Sequence, residues 1–251
     1  MNPKAFVCVF FVSLSLSLWA PAFAKPPEPI LILTEEWPPF NYTENGEITG
    51  FASDVIKLVM KQLRLSYKIE VLPSSRGLKV LDKGPRVMFY SFIQTPERKS
   101  LYKWIGPFAE QSIYFYKKKG SNIQIKNLED AKKVGRVCSR DMGLVFSFLK
   151  SAGFKNLDVG VNPQGIYLKT IHGRCDLGIG ETALGVAYWL KKANLSPDML
   201  EQTPVKISSS SLYIVASKDI PDDEILRWQA ALNKIMATSE YSRLLQLYKL
   251  R

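Results

Sequence analysis

The 251-residue chain carries 34 Lys and Arg against 23 Asp and Glu, with one His, for a formal net charge of +11 at pH 7. The basic residues are dispersed, the longest run being Lys117-Lys118-Lys119. Dispersed charge excludes a nucleic-acid stripe and leaves an anionic ligand, lipid or cell-wall surface as the partner to explain.

Residues 1–24 read as a secretory leader. Lys4 supplies the charged start, Ala5 to Trp19 is apolar or Ser almost throughout, and Ala22-Phe23-Ala24 has the small-x-small form that precedes cleavage. A run of about 15 residues is short for a membrane span, which needs about 20. Cys8 has no lipobox pattern around it. Cleavage after Ala24 leaves residues 25–251, enough for one large or two small domains. No later stretch is long and apolar enough to span a bilayer, so the mature chain is expected in the periplasm.

The first strand is Ile30 to Leu33. It ends in Thr34-Glu35-Glu36-Trp37-Pro38-Pro39-Phe40, where two prolines forbid strand or helix and fix a turn that holds Trp37 and Phe40. Asn45-Gly46 marks a tight turn, and Gly50 to Asp54 opens a helix with Val55, Ile56, Val59, Met60 and Leu63 on its apolar face. A strand over Tyr67 to Leu72, a short helix through Leu78, Val80 and Leu81, and the apolar strand Val87 to Ile93 complete an alternating unit, the signature of a parallel sheet. In Gln94-Thr95-Pro96-Glu97-Arg98-Lys99, Thr95 reads as N-cap and Pro96 as first helical residue, with Glu97 suited to the positive end of the dipole. Arg98 is thereby delivered to the C-terminal end of a strand, where open α/β sheets bind ligands.

A strand over Ile113 to Lys117 leads to a second unit. It comprises a strand over Val134 to Cys138, a helix over Asp141 to Ala152, a strand over Leu157 to Val161, a helix over Pro163 to His172, a strand over Asp176 to Gly180 and a helix over Thr182 to Leu190. Gly153 and Gly173 close two of these helices. The strand Leu212 to Ser217 follows, then a helix opened by Pro221 and three acidic residues, then a last helix over Ser239 to Leu250. Cys138 ends one strand and Cys175 begins another. If the two strands lie parallel, the residues sit at opposite ends, roughly 13 Å apart at about 3.3 Å per residue. That exceeds the reach of a disulfide, about 7 Å between Cα atoms, so two thiols are expected. His172 lacks enough sulfur or imidazole partners for a zinc site, so neither metal nor cofactor is expected.

In this order the marks resemble the extracellular solute-binding proteins of family 3, the polar amino-acid type that serves ABC importers. They are the Pro-Pro-Phe turn, Gly50-Phe51 through Asp54, Thr95-Pro96-Glu97-Arg98, Gly106-Pro107-Phe108, Gly173-Arg174-Cys175-Asp176 and the final pair of helices. The resemblance covers about Leu31 to Tyr248. It implies an α/β, two-lobed, type II periplasmic-binding-protein-like fold with a ligand cleft between lobes joined by two hinge crossings. Lobe 1 is placed at 25–112 and 212–251, and lobe 2 at 113–211.

By the same resemblance Arg98 takes the ligand carboxylate, which suits a guanidinium's two parallel hydrogen bonds. Trp37 lies against the ligand side chain, Glu181 faces its ammonium group, Arg76 stands near the cleft mouth and Ser91 is a polar residue on the strand leading to Arg98. Arg140 sits where relatives have a small Ser or Thr. Three departures stand out: Ile93 replaces a hydroxyl residue, Ser74 replaces an apolar or aromatic clamp, and Arg140 adds a positive charge. Arg76, Arg98 and Arg140 against Glu181 favour an anionic ligand. The function implied is a monomeric, non-enzymatic receptor that captures a small carboxylate for a permease in the inner membrane. The alternatives are an enzyme resembling cyclohexadienyl dehydratases, with Glu181 as its acid, and a sensory partner of a membrane receptor.

Overall fold

Apolar runs flanked by prolines and glycines become the strands of one sheet. The computed structural model describes residues 29–140, 144–160, 162–180 and 182–250. The first half comprises β1 (Leu31–Thr34), the hairpin β2 (Tyr42–Glu44) and β3 (Glu47–Thr49), α1 (Phe51–Leu63), β4 (Ile69–Val71), α2 (Ser74–Lys83), β5 (Val87–Ile93) and α3 (Pro96–Lys99). The long strand β6 (Lys103–Lys118) leads to α4 (Leu128–Lys133), β7 (Val137–Arg140), α5 (Leu144–Ser151), β8 (Leu157–Gly160), α6 (Pro163–Ile171), β9 (Leu177–Gly180) and α7 (Ala183–Lys192). A second long strand, β10 (Leu200–Ala216), returns the chain to α8 (Asp222–Met236) and α9 (Ser239–Leu247). The residues Asp141, Val161 and Glu181, assigned above to elements or to the site, lie outside the described residues.

The sheet runs β4-β1-β5-β10-β6-β9-β7-β8. Two parallel triplets, β4-β1-β5 and β9-β7-β8, are the two alternating units legible in the sequence. Between them β6 and β10 run antiparallel, paired from Leu200↔Lys118 to Ala216↔Lys103. Both are much longer than the strands expected at Ile113 to Lys117 and Leu212 to Ser217. Gly106-Pro107, Pro204 and the serines at 208–211 have the composition of loops, yet the two segments satisfy each other's backbone. Their prolines fall where the ladder slips, Pro204 between the Gln202 and Lys206 pairs and Pro107 between those of Ile105 and Ala109. A slip in register is where a missing N–H costs least.

Four apolar clusters pack on this sheet. One joins α1, α8 and α9 to the first triplet through Phe51, Val55, Tyr90, Phe108, Trp228 and Leu232. On the far side of the long strands lie a cluster around Phe115, Val137, Leu149 and Leu177 and another around Tyr167, Val186 and Leu190. Along β6 the cores part between Ala109 and Ile113, and along β10 between Ile207 and Leu212. The expected stripe of α1 is buried at Val55, Ile56, Val59 and Met60.

The cysteine expectation is corrected. Cys138 and Cys175 form a disulfide, with Cα atoms 5.8 Å apart. Pairing of β7 with β9 starts at Val137↔Leu177, and Cys138 lies opposite Gly178, so both cysteines sit near the same end of their strands. Gly173, at φ 73°, turns the chain after α6, and the Arg174 and Cys175 amides donate back to the Lys169 carbonyl. That return brings Cys175 beside β7.

A second tie holds the start of β5 to the first turn of α8. Arg86 Nη2 lies 2.8 Å from Glu224 Oε2, with both side chains largely buried, and the Arg86 amide donates to Asp219 Oδ2 at 2.8 Å. Replacing Glu224 by Ala removes a carboxylate from a buried guanidinium and should cost about 3–5 kcal/mol in urea denaturation. The disulfide closes a separation of 37 residues. Reduction, or Cys175→Ser, should lower stability by about 2–4 kcal/mol in the same measurement.

Candidate ligand site

Of the expected residues, Trp37, Ser91 and Arg98 lie at the C-terminal ends of β1 and β5, which pair through Leu33↔Phe89. Beyond β1 the chain makes a tight turn. The Trp37 amide donates to the Asn41 carbonyl at 2.6 Å, and the Phe40 and Asn41 amides donate to the Trp37 carbonyl at 2.9 and 3.1 Å. The Trp37 ring stands 5.4 Å from that of Phe40, and Trp37 packs against the first core while staying half-exposed. The Pro-Pro turn therefore presents an aromatic ring on a fixed backbone. Ser91 has φ 64° and lies beside the register slip of β5 against β10. Its hydroxyl is buried and has no hydrogen-bond partner among the described residues. An unmade bond of this kind costs about 1–3 kcal/mol, which a polar ligand atom would recover.

Arg98 sits on α3, two residues past Pro96 at the first helical position. Thr95 occupies the N-cap position in extended backbone, but its side chain makes no capping bond. Its hydroxyl instead bonds the Glu97 carboxyl and holds it below the usual range. The Arg98 guanidinium lies 4.7 Å over the Phe92 ring and donates through Nη1 to the Ile93 carbonyl at 3.4 Å. Ile93 itself packs on the first core, so its side chain supplies no polar group.

Glu35, the first residue past β1, is brought among these groups. Ser74 Oγ, at the start of α2, donates to Glu35 Oε2, and Asn41 Nδ2 donates to the Glu35 carbonyl at 2.5 Å. Burial pushes the Glu35 carboxyl up; the Ser74 bond and the charges of Arg140 and Arg98 offset part of that rise. Arg140, exposed at the end of β7, is thus within electrostatic reach of a residue carried by β1. Arg76 is exposed on the first turn of α2, two residues past Ser74. Glu181 lies outside the described residues. Ser74 thus binds the Glu35 carboxyl, and Arg98 and Arg140 act on its charge, with Trp37 and Ser91 on the ends of the same pair of strands.

Sequence reasoning passed over Glu35. A Glu-Glu pair before two prolines looks like an exposed turn, and Glu36 is one: it is exposed and its carboxylate accepts from the Thr43 amide at 3.1 Å. The available signal was position, since Glu35 immediately follows a buried parallel strand.

The two sides of the sheet meet at the rim. Gly185 on α7 approaches the Pro38 carbonyl so closely that a Cβ there would lie 2.6 Å from the oxygen. The Tyr42 and Tyr188 rings stand 4.8 Å apart. A cavity of about 370 Å³, lined by Asp130, Lys133, Gly135 and Asp176, lies at the N-terminal ends of β7 and β9 and touches none of the candidate residues. The charged group at the strand ends can hold opposite charges at once: guanidiniums for a carboxylate and a carboxylate for a cation.

Comparison with known proteins agrees with this fold. The probable amino-acid-binding protein YxeM of Bacillus subtilis (strain 168) is 25% identical over 217 residues, covering 84% of this chain and 79% of that one. An ancestral arginine-binding protein bound to glutamine shares the fold with a TM-score of 0.73 at 22% identity, over 90% of this chain and 100% of that one. The GluR0 ligand-binding core in complex with L-glutamate does so with a TM-score of 0.74 at 14% identity, over 89% and 99%. With a family match across residues 30–250, the chain belongs to the bacterial extracellular solute-binding proteins, family 3.

Proposed function

We propose that this protein is a periplasmic receptor that captures a small carboxylate-bearing solute, an amino acid or related organic anion, and delivers it to the permease of an ABC importer. The observation that carries this reading is the Arg98 guanidinium. It is held over Phe92 at the end of the strand that carries the buried Ser91 hydroxyl, and forms no ion pair among the described residues. A ligand carboxylate would take two parallel hydrogen bonds from it. Binding, not catalysis, is the role we assign, with the receptor acting as a monomer after removal of residues 1–24.

Lobe 1 is taken as 25–112 with 212–251, and lobe 2 as 113–211. The parting of the cores on β6 and β10 supports those limits. Closure would draw on ligand contacts from both lobes, which favour the closed state by differential binding. Arg98 and Trp37 act from lobe 1, Arg140 and Glu181 from lobe 2. The contact of Pro38 with Gly185 supports such a motion, since it joins a lobe 1 turn to a lobe 2 helix.

Two substitutions test the reading. A thermal-shift screen of the ligand-stripped mature chain against amino acids, dicarboxylates and small aromatic acids identifies a ligand. Arg98→Ala should then weaken its affinity by roughly 100-fold or more in calorimetry, as expected for losing two charge-assisted bonds, with an unchanged melting temperature. Retained affinity would sink the assignment. Gly185→Ala places a methyl against the Pro38 carbonyl and should weaken binding about ten- to a hundredfold, matching roughly 1–3 kcal/mol of overpacking in the closed state. The ligand-free melting temperature should hold or rise, because Ala favours the helix.

A further inference from the structure

The positive charge of the chain is unevenly placed. Residues 113–211 carry 15 Lys and Arg against 8 Asp and Glu, and much of this excess lies at one end of the sheet. Val137 pairs with both Leu157 and Leu177, so Arg136, Lys155 and Arg174 flank the N-terminal ends of three neighbouring strands. Antiparallel to β9, β6 sets Tyr116 opposite Gly178 and brings Lys118 and Lys119 to the same end. Asn156 ties α4 there, its Nδ2 donating to the Ala131 and Val134 carbonyls at 3.2 and 2.8 Å, which adds Lys126 and Lys133. Lys118, Lys119, Lys126, Lys133, Lys155 and Arg174 are all exposed, and none forms an ion pair among the described residues.

The carboxylates of this end are mostly engaged. Glu201 and Glu129 pair with Lys117 and Lys132 at 3.0 and 2.5 Å. Asp130 and Asp176 accept the Lys126 and Arg136 amides at 2.9 and 2.8 Å, and Asp158 is shared by Lys169 and Arg136. Asp198, next to the Met199 carbonyl that accepts from the Lys119 amide, is exposed. Among the described residues, none of the large exposed apolar side chains belongs to these turns. A protein interface is centred on apolar or aromatic anchors, whereas a headgroup layer asks only for cations spread over a surface.

We propose that this end of the molecule is a docking surface for anionic phospholipid, on which the six unpaired cations hold the chain reversibly and by charge alone. Clusters of about four to eight Lys or Arg are what such layers attract. Spread across the ends of β6, β7, β8 and β9, the cations match a plane of phosphates and not a single extended polyanion. The cavity at this end is no seat for one phosphate, because Asp130 and Asp176 oppose Lys133 there. Affinity should therefore follow the charge of the membrane and not the identity of the headgroup. Arg140 lies at the other end of β7, so docking leaves that side of the candidate ligand site uncovered.

The test is co-sedimentation of the mature chain, residues 25–251, with lipid vesicles; omitting residues 1–24 keeps the apolar leader from supplying the affinity. One vesicle is phosphatidylglycerol and phosphatidylcholine in equal parts, a second replaces phosphatidylglycerol by phosphatidylserine, and a third is phosphatidylcholine alone. At low salt the chain should bind both anionic vesicles alike and ignore the third, and added salt should release it. Lys119→Gln/Lys133→Gln/Arg174→Gln should weaken partitioning by roughly 100-fold, at about fivefold per cation. Lys118→Gln/Lys126→Gln/Lys155→Gln should do the same, so a folding defect in one set leaves the other, and melting temperatures should hold because all six side chains are exposed. Lys61→Gln/Lys79→Gln/Lys83→Gln removes the same charge from exposed positions on α1 and α2 and should keep most of the binding. Equal loss in that variant would overturn the proposal, since binding would then follow net charge and not this surface. Failure to bind anionic vesicles at low salt would overturn it too and leave the cations to an acidic protein. So would binding to phosphatidylcholine alone, the mark of apolar insertion. None of these readouts uses a small-molecule ligand, so the outcome is independent of the receptor reading.

Discussion

The hydrogen-bonded ladder between β6 and β10 is the constraint on which the rest of the molecule depends. The two strands, of 16 and 17 residues, are neighbours at the centre of one sheet, and every other strand of that sheet lies to one side of them or the other. Each parallel triplet builds its own core, and the cores part where the ladder passes between them. The strand ends that carry Glu35, Ser91 and Arg98 therefore belong to one body, and those that carry Arg140 to the other. Electrostatics act across that division, because Arg140 and Arg98 both reach Glu35. A polypeptide that crosses twice through a shared ladder allows bending while it resists sliding, since sliding would break many backbone bonds at once.

Much of this was legible in the chain. Alternating strands and helices revealed two parallel units, and the apolar face of α1 was read residue by residue. Arg98 was placed correctly because Pro96 and the preceding apolar run specify a helical turn at a strand end. The long central strands were legible only in part, because prolines and serines disguise a segment whose backbone is satisfied by a partner about 90 residues away in sequence. Local propensity carries no information about such a partner. The disulfide was missed for a related reason. An error of three residues in where β7 begins moved Cys138 from one end of the strand to the other.

Glu35 shows a different limit. Nothing in its neighbours separates it from Glu36, since both are acidic residues between a strand and two prolines. What separates them is the direction each side chain takes on leaving β1, set by the turn that Asn41 closes on Trp37 and Glu35. The charge of a binding cleft is thus a sum over directions and not over composition.

The approach of Gly185 to the Pro38 carbonyl extends this division of labour. At that contact one lobe meets the other through bare main chain on both sides. Under the receptor reading, the backbone at this point limits how far the halves can come together, beside the ring contact of Tyr42 with Tyr188. Under the same reading, a change of ligand preference would arise at the strand ends, through positions such as Ser74, Ser91 and Arg140, with that backbone contact unchanged. Such a design lets one scaffold change its cargo without relearning its motion.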